Sequence, residues 1–96
     1  MIHHIVLFKL KADIDEATIA QHMADFRALA RTVGAIRSID VERDFVGRDV
    51  SAEFGLVVQL DDRDALGAYR DHPEHQAAFG RLKPNLDHML VLDYER

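Results

Sequence analysis

The chain is predicted to adopt an α+β fold, with one four-stranded antiparallel sheet covered on a single face by two helical segments. Three observations lead there. Four stretches of the 96 residues alternate apolar and polar positions, two others repeat apolar residues at helical spacing, and the order along the chain is strand, helix, strand, strand, helix, strand. Right-handed crossovers then put both helical segments on one face, a ferredoxin-like βαββαβ arrangement.

Each element has its own warrant. Residues 2 to 11 place Ile2, His4, Val6, Phe8 and Leu10 on one face and His3, Ile5, Leu7, Lys9 and Lys11 on the other, so the middle of this strand is apolar on both sides. Asp13 with Glu16 resembles a capping box, and Asp15 is a competing cap for the helix that follows. Ile19, Met23, Phe26, Leu29, Ala30 and Val33 recur at helical spacing until Gly34, which predicts one continuous helix. Ile36 to about Phe45 reads as a strand with a polar face, suited to a sheet edge, and a polar loop around Gly47 leads to a strand over Glu53 to Leu60. Asp61 or Asp62 caps a short helix that ends at His72. Pro73 holds His72 extended and opens a further helix, which stops before Pro84. The last strand is expected over His88 to Tyr94.

A single domain over residues 1–96 is near the size at which one core suffices, and a second copy would help it. The two-sided first strand supplies the means. Ile5, Leu7, Val57 and either Met89 with Val91 or Leu90 with Leu92 would leave a large apolar area on the helix-free face. The same face of a second chain is the simplest cover, which predicts a homodimer through sheet faces, a dimeric α/β barrel.

Composition narrows the function. Apolar residues make up 48% and charged residues 30%, a globular balance, and no apolar run reaches spanning length. The first residues hold two histidines in place of a signal core, and with no cysteine the expected location is the cytoplasm. A net charge of −5 without a Lys/Arg cluster argues against nucleic acid and membrane surfaces as partners. No cofactor is expected. His72 and His75 are three apart, but no carboxylate at a metal-site spacing joins them, so a metal is disfavoured.

Tyr69-Arg70-Asp71-His72-Pro73-Glu74-His75 is the stretch that carries chemistry. Leu66 and Tyr69 share the inward face of one helix, while His75, Phe79 and Leu82 share the apolar stripe of the next. Tyr69 and His75 therefore face the core from two sides of a corner. With His4 they are expected to converge on a cavity between sheet and helices, lined by Val6, Phe26 and Phe79, with His72 at its edge. There His75 would take a proton from carbon beside a carbonyl, while Tyr69 hydrogen-bonds the imidazole or the oxyanion. The alternative is that His75 satisfies a buried carbonyl and Tyr69 fills core.

His4-Ile5-Val6-Leu7-Phe8-Lys9-Leu10-Lys11, Tyr69-x-x-His72-Pro73-x-His75 and Asp93-Tyr94 together resemble the stress-responsive dimeric α/β-barrel (Dabb) family. The resemblance covers the whole chain and implies a ferredoxin-like protomer in a homodimeric barrel. It extends distantly to the plant olivetolic acid cyclase, a polyketide-closing relative whose catalytic tyrosine and histidine fall on Tyr69 and His75 and whose pocket histidine falls on His4. His22 and Phe26 would then face the pocket from the first helix. The resemblance implies a cofactor-free cyclase- or isomerase-like activity on an enolisable, polyketide-like carbonyl compound, taking a small apolar or aromatic ligand; the alternative is a stress-responsive protein that binds or protects without turnover.

Overall fold

A computed structural model describes all residues, Met1–Arg96. Strands β1 (Ile2–Leu10), β2 (Ile36–Arg43), β3 (Phe54–Leu60) and β4 (Leu86–Glu95) form one antiparallel sheet in the order β2-β3-β1-β4. Helices α1 (Glu16–Arg27), α2 (Leu29–Thr32), α3 (Arg63–Asp71) and α4 (Pro73–Leu82) complete a ferredoxin-like βαββαβ fold, and a 3₁₀ turn, Lys83–Asn85, leads into β4. The polar strand β2 does lie at an edge, and β4 forms the other.

Alternation builds the core. Phe54, Leu56, Val58 and Leu60 of β3 are buried beside Ile2, Val6, Phe8 and Leu10 of β1, and against them pack Ile19, Met23 and Phe26 of α1, Tyr69 of α3, and Ala78 and Leu82 of α4. Burying each large side chain contributes roughly 1.5–3 kcal/mol. Phe8 lies between Phe26 and Phe54, with ring centroids 5.4 and 4.8 Å away.

Local chemistry sets the boundaries. Of the candidate caps, Asp15 and Asp62 are the ones used: their carboxylates accept from the Thr18 and Ala65 amides, each at 2.8 Å. The helix expected to run to Val33 is divided at Ala28. The Arg31 amide bonds the carbonyl only three residues back, at Ala28, a tightened turn that still buries Leu29 and Val33. Strand β2 stops at Arg43, short of Phe45, because the chain turns there: Asp44 Oδ2 accepts from the Gly47 amide, and Gly47 takes a positive φ of 73°. Strand β4 starts earlier than His88, since Leu86 already pairs with Leu10.

The register decides which residues of β4 lie on the bare face. Leu7 pairs with Leu90 and Ile5 with Leu92, so Leu90 and Leu92 point away from the helices, while Met89 and Val91, opposite Phe8 and Val6, point toward them. Leu90 and Leu92 are 66% and 57% exposed. Beside them Leu7 lies over Gly55, where an added Cβ would come within 3.0 Å of the Leu7 side chain. No helix is long and apolar enough to cross a membrane.

Candidate functional site

The break at Pro73 builds the site. His72 is extended, with φ −63° and ψ 134°, and its Nδ1 accepts from the Glu74 amide at 3.1 Å, capping α4 across the proline. That use of its ring corrects the expectation that His72 touches a ligand: it is absent from the cavity lining. The corner swings the start of α4 back over α3, and the Arg70 carbonyl at the end of α3 accepts from His75 Nδ1 at 3.0 Å and from the Gln76 amide group at 2.6 Å.

A carbonyl oxygen only accepts, so the hydrogen of neutral His75 sits on Nδ1 and Nε2 keeps its lone pair. Burial pushes the His75 pKa below the ordinary histidine value, against the opposing pull of the Arg70 carbonyl, and nearby His4 adds to the depression. At neutral pH His75 is therefore an uncharged base. Its ring lies 4.6 Å from that of Tyr69, centroid to centroid, and stacks on Phe79 at 6.4 Å.

Tyr69 is fully buried, and burial raises its pKa, so it stays a phenol and serves only as a neutral donor. The expected bond from its hydroxyl to the imidazole is not formed; the oxygen is buried without any partner. Such an orphan costs about 1–3 kcal/mol. His4 stands edge-on to Tyr69 at 5.6 Å, and its Nδ1 donates to the Asp93 carboxylate at 2.5 Å.

These groups surround an open-sided cavity of about 450 Å³, floored by Val6, Phe8, Phe26 and Leu56, walled by Tyr69, His75, Gln76 and Phe79, and bounded along the edge strand by Met89, Val91 and Asp93. His4, Val6, Phe26, Tyr69, His75 and Phe79 thus line one space. Its size is that of pockets for small organic ligands. His22 does not join them: it is buried on the inward stripe of α1 where the turn before β4 meets it, and its Nε2 accepts from Asn85 Nδ2 at 2.8 Å. Sequence reasoning missed Asp93, Met89 and Val91 as lining. The signal was available, because His4, Val6 and Phe8 pair directly with them once the β1–β4 register is known.

Fold and cavity define a class: a small ferredoxin-like protein whose helix-covered sheet face holds an apolar pocket with histidine and tyrosine at its wall. Within that class, the model for the stress responsive A/B barrel domain, Dabb, matches residues 2–96, and the chain belongs to that family. An uncharacterized protein of Streptomyces coelicolor is 33% identical over 97 residues, spanning 99% of each chain. Among solved structures, a dimeric ferredoxin-like protein of unknown function from Bacteroides fragilis is 30% identical with a TM-score of 0.84, covering 99% of this chain and 95% of its own. Hydroxynitrile lyase from Passiflora edulis shares the fold at 17% identity, with a TM-score of 0.84 over 97% of this chain and 90% of its own.

Proposed function

We propose that this protein is a homodimeric, cofactor-free enzyme that moves a proton at carbon beside a carbonyl group, in the manner of a cyclase or isomerase. The observation that carries the reading is the pairing, in the wall of one cavity, of an uncharged histidine whose Nδ1 is held by the Arg70 carbonyl with a tyrosine whose buried hydroxyl lacks a partner. His75 Nε2 takes the proton from carbon, the C–H electron pair moves into the carbonyl, and the enolate oxygen accepts from the Tyr69 hydroxyl. The imidazolium then returns the proton, to the same carbon or another, or the enolate carbon attacks a second carbonyl. The apolar floor suits a small aromatic or polyketide-like body. The likeness in fold to a hydroxynitrile lyase is in keeping with this reading.

Acetophenone in D₂O tests the chemistry. Deuterium should enter its methyl group faster with protein than in buffer, as read by proton NMR, and His75→Ala should reduce that acceleration by about 10²–10⁴-fold. Equal rates with the parent and the variant would refute the assignment.

The dimer is supported by the bare apolar face of Ile5, Leu7, Leu90 and Leu92 and by dimeric relatives from Bacteroides fragilis and Thermobifida fusca. Sedimentation at micromolar concentration should give a dimer, and Leu92→Lys, which sets a charge at the centre of the interface, should give monomer. A dimer indifferent to Leu92→Lys would place the interface elsewhere.

A further inference from the structure

We propose that Gln76 is a positioning residue for His75: its side-chain amide holds the Arg70 carbonyl against His75 Nδ1, which keeps the hydrogen of the neutral ring on that nitrogen and the lone pair on Nε2. This rests on the reading of His75 as the base and adds the residue that sets it.

The last carbonyls of a helix have no intrahelical donor, and the chain beyond Arg70 withholds both amides that could extend the ladder. Three residues on stands Pro73, which has no N–H. Four residues on stands Glu74, whose amide is taken by His72 Nδ1 at 3.1 Å. The Arg70 oxygen is thus left to side chains, and two from α4 take it, Gln76 Nε2 at 2.6 Å and His75 Nδ1 at 3.0 Å. A carbonyl oxygen has two lone pairs and only accepts, so the nitrogen end of the Gln76 amide faces one and the imidazole N–H the other.

The Gln76 bond is the shorter of the two, and its backbone is anchored separately, its amide donating to the His72 carbonyl at 3.0 Å. Gln76 therefore ties the end of α3 to the first turn of α4 at the one oxygen that orients the base. Released from that tie, the carbonyl can turn to water, and neutral His75 then shares its hydrogen between its two nitrogens. A ring with hydrogen on Nε2 has no lone pair there to take a proton from carbon. Gln76 lines the cavity from an exposed position, outside the packed core, so it can be replaced without opening a hole.

The test compares the parent with Gln76→Met, which keeps the reach and removes the donor. The other titratable and charged groups near the ring are the same in both: Tyr69, Arg70 and Asp71 from α3, His72 at the corner, His4 from β1 and Asp93 from β4. Nitrogen-15 NMR of His75 at neutral pH should show the Nδ1–H tautomer in the parent and a mixture in Gln76→Met. Gln76→Lys, which puts a donor back at similar reach, should recover the single tautomer. The bond to the Arg70 carbonyl raises the proton affinity of His75 against the effect of burial, so loosening it should move the midpoint of deuterium exchange into acetophenone to lower pH. The plateau rate should fall about two- to tenfold, the worth of one neutral hydrogen bond. A single Nδ1–H tautomer in Gln76→Met, a mixture that Gln76→Lys leaves unchanged, or a midpoint that moves to higher pH, as it must if Gln76 competes with His75 for the oxygen, would overturn the inference. A melting temperature lowered in Gln76→Met with the tautomer unmoved would reduce Gln76 to a cap on α3 and overturn it equally. The tautomer response without any deuterium exchange in the parent would refute the catalytic reading and keep this one; exchange that depends on His75 with a tautomer indifferent to Gln76 would do the reverse.

Discussion

Two histidines, the partly buried His75 and the buried His22, have much in common and different prospects. Burial depresses the pKa of each, and one ring nitrogen of each is engaged by a protein amide group or carbonyl. In His75 the engaged atom is Nδ1, which aims the basic Nε2 at an open cavity beside Tyr69. In His22 the engaged atom is Nε2, and the remaining Nδ1 is sealed in protein with no partner. A shifted proton affinity therefore marks burial, and only the free nitrogen and the space before it mark a site.

The widest separation between the two should appear on substitution. His75→Ala should cost the 10²–10⁴-fold in exchange rate expected of a general base, whereas His22→Ala should leave exchange unchanged and lower the melting temperature. Loss of exchange in His22→Ala with the fold intact would erase the distinction.

Tyr69 sharpens the same point. Tyr69→Phe removes the buried donor that the proposed reaction assigns to the oxyanion, and the exchange rate should fall by a smaller factor than for His75→Ala, on the order of tenfold to a hundredfold. Because the hydroxyl is buried without a partner, the same change should hold or raise the melting temperature. A marked fall would mean that the hydroxyl is satisfied in the folded state and is not waiting for a ligand.

The smallest effect concerns pH. Both histidines have folded-state proton affinities below the ordinary value of 6.5, so as pH falls through 6.5 the unfolded chain takes up protons before the folded one does. Their contribution is complete above 6.5 and is lost as pH drops toward the folded values. Thermal unfolding between about pH 7.5 and pH 5 should show this loss, and His22→Ala should flatten it. A stability that rises on acidification over that range would contradict both assignments.

The sequence made much of this legible through short-range periodicity. The alternation of β1 and β3 placed Val6, Phe54, Leu56 and Val58 inward, and Pro73 located the corner that brings Tyr69 and His75 together. Three features needed the folded register or geometry. Asp93 meets His4 only because β1 and β4, at opposite ends of the chain, pair at those two residues. His72 carries the right chemistry for a site, yet its nearest unsatisfied donor, the Glu74 amide, claims it for a cap. His22 lies on the inward stripe of α1 with Phe26, but Asn85, from the turn before β4, reaches it first. Periodicity reports which face a residue occupies; it does not report which neighbour from a distant segment will take its last lone pair.

The most direct test of His75 as the base is the pH dependence of deuterium exchange into acetophenone, measured for the parent protein and corrected by the His75→Ala background. Neutral imidazole is the active form and burial lowers its pKa, so the rate should climb with pH, reach half its plateau below 6.5 and be flat through neutrality. A rate that keeps rising through the alkaline range in which a phenol ionises, or one that persists undiminished in His75→Ala, would contradict the assignment.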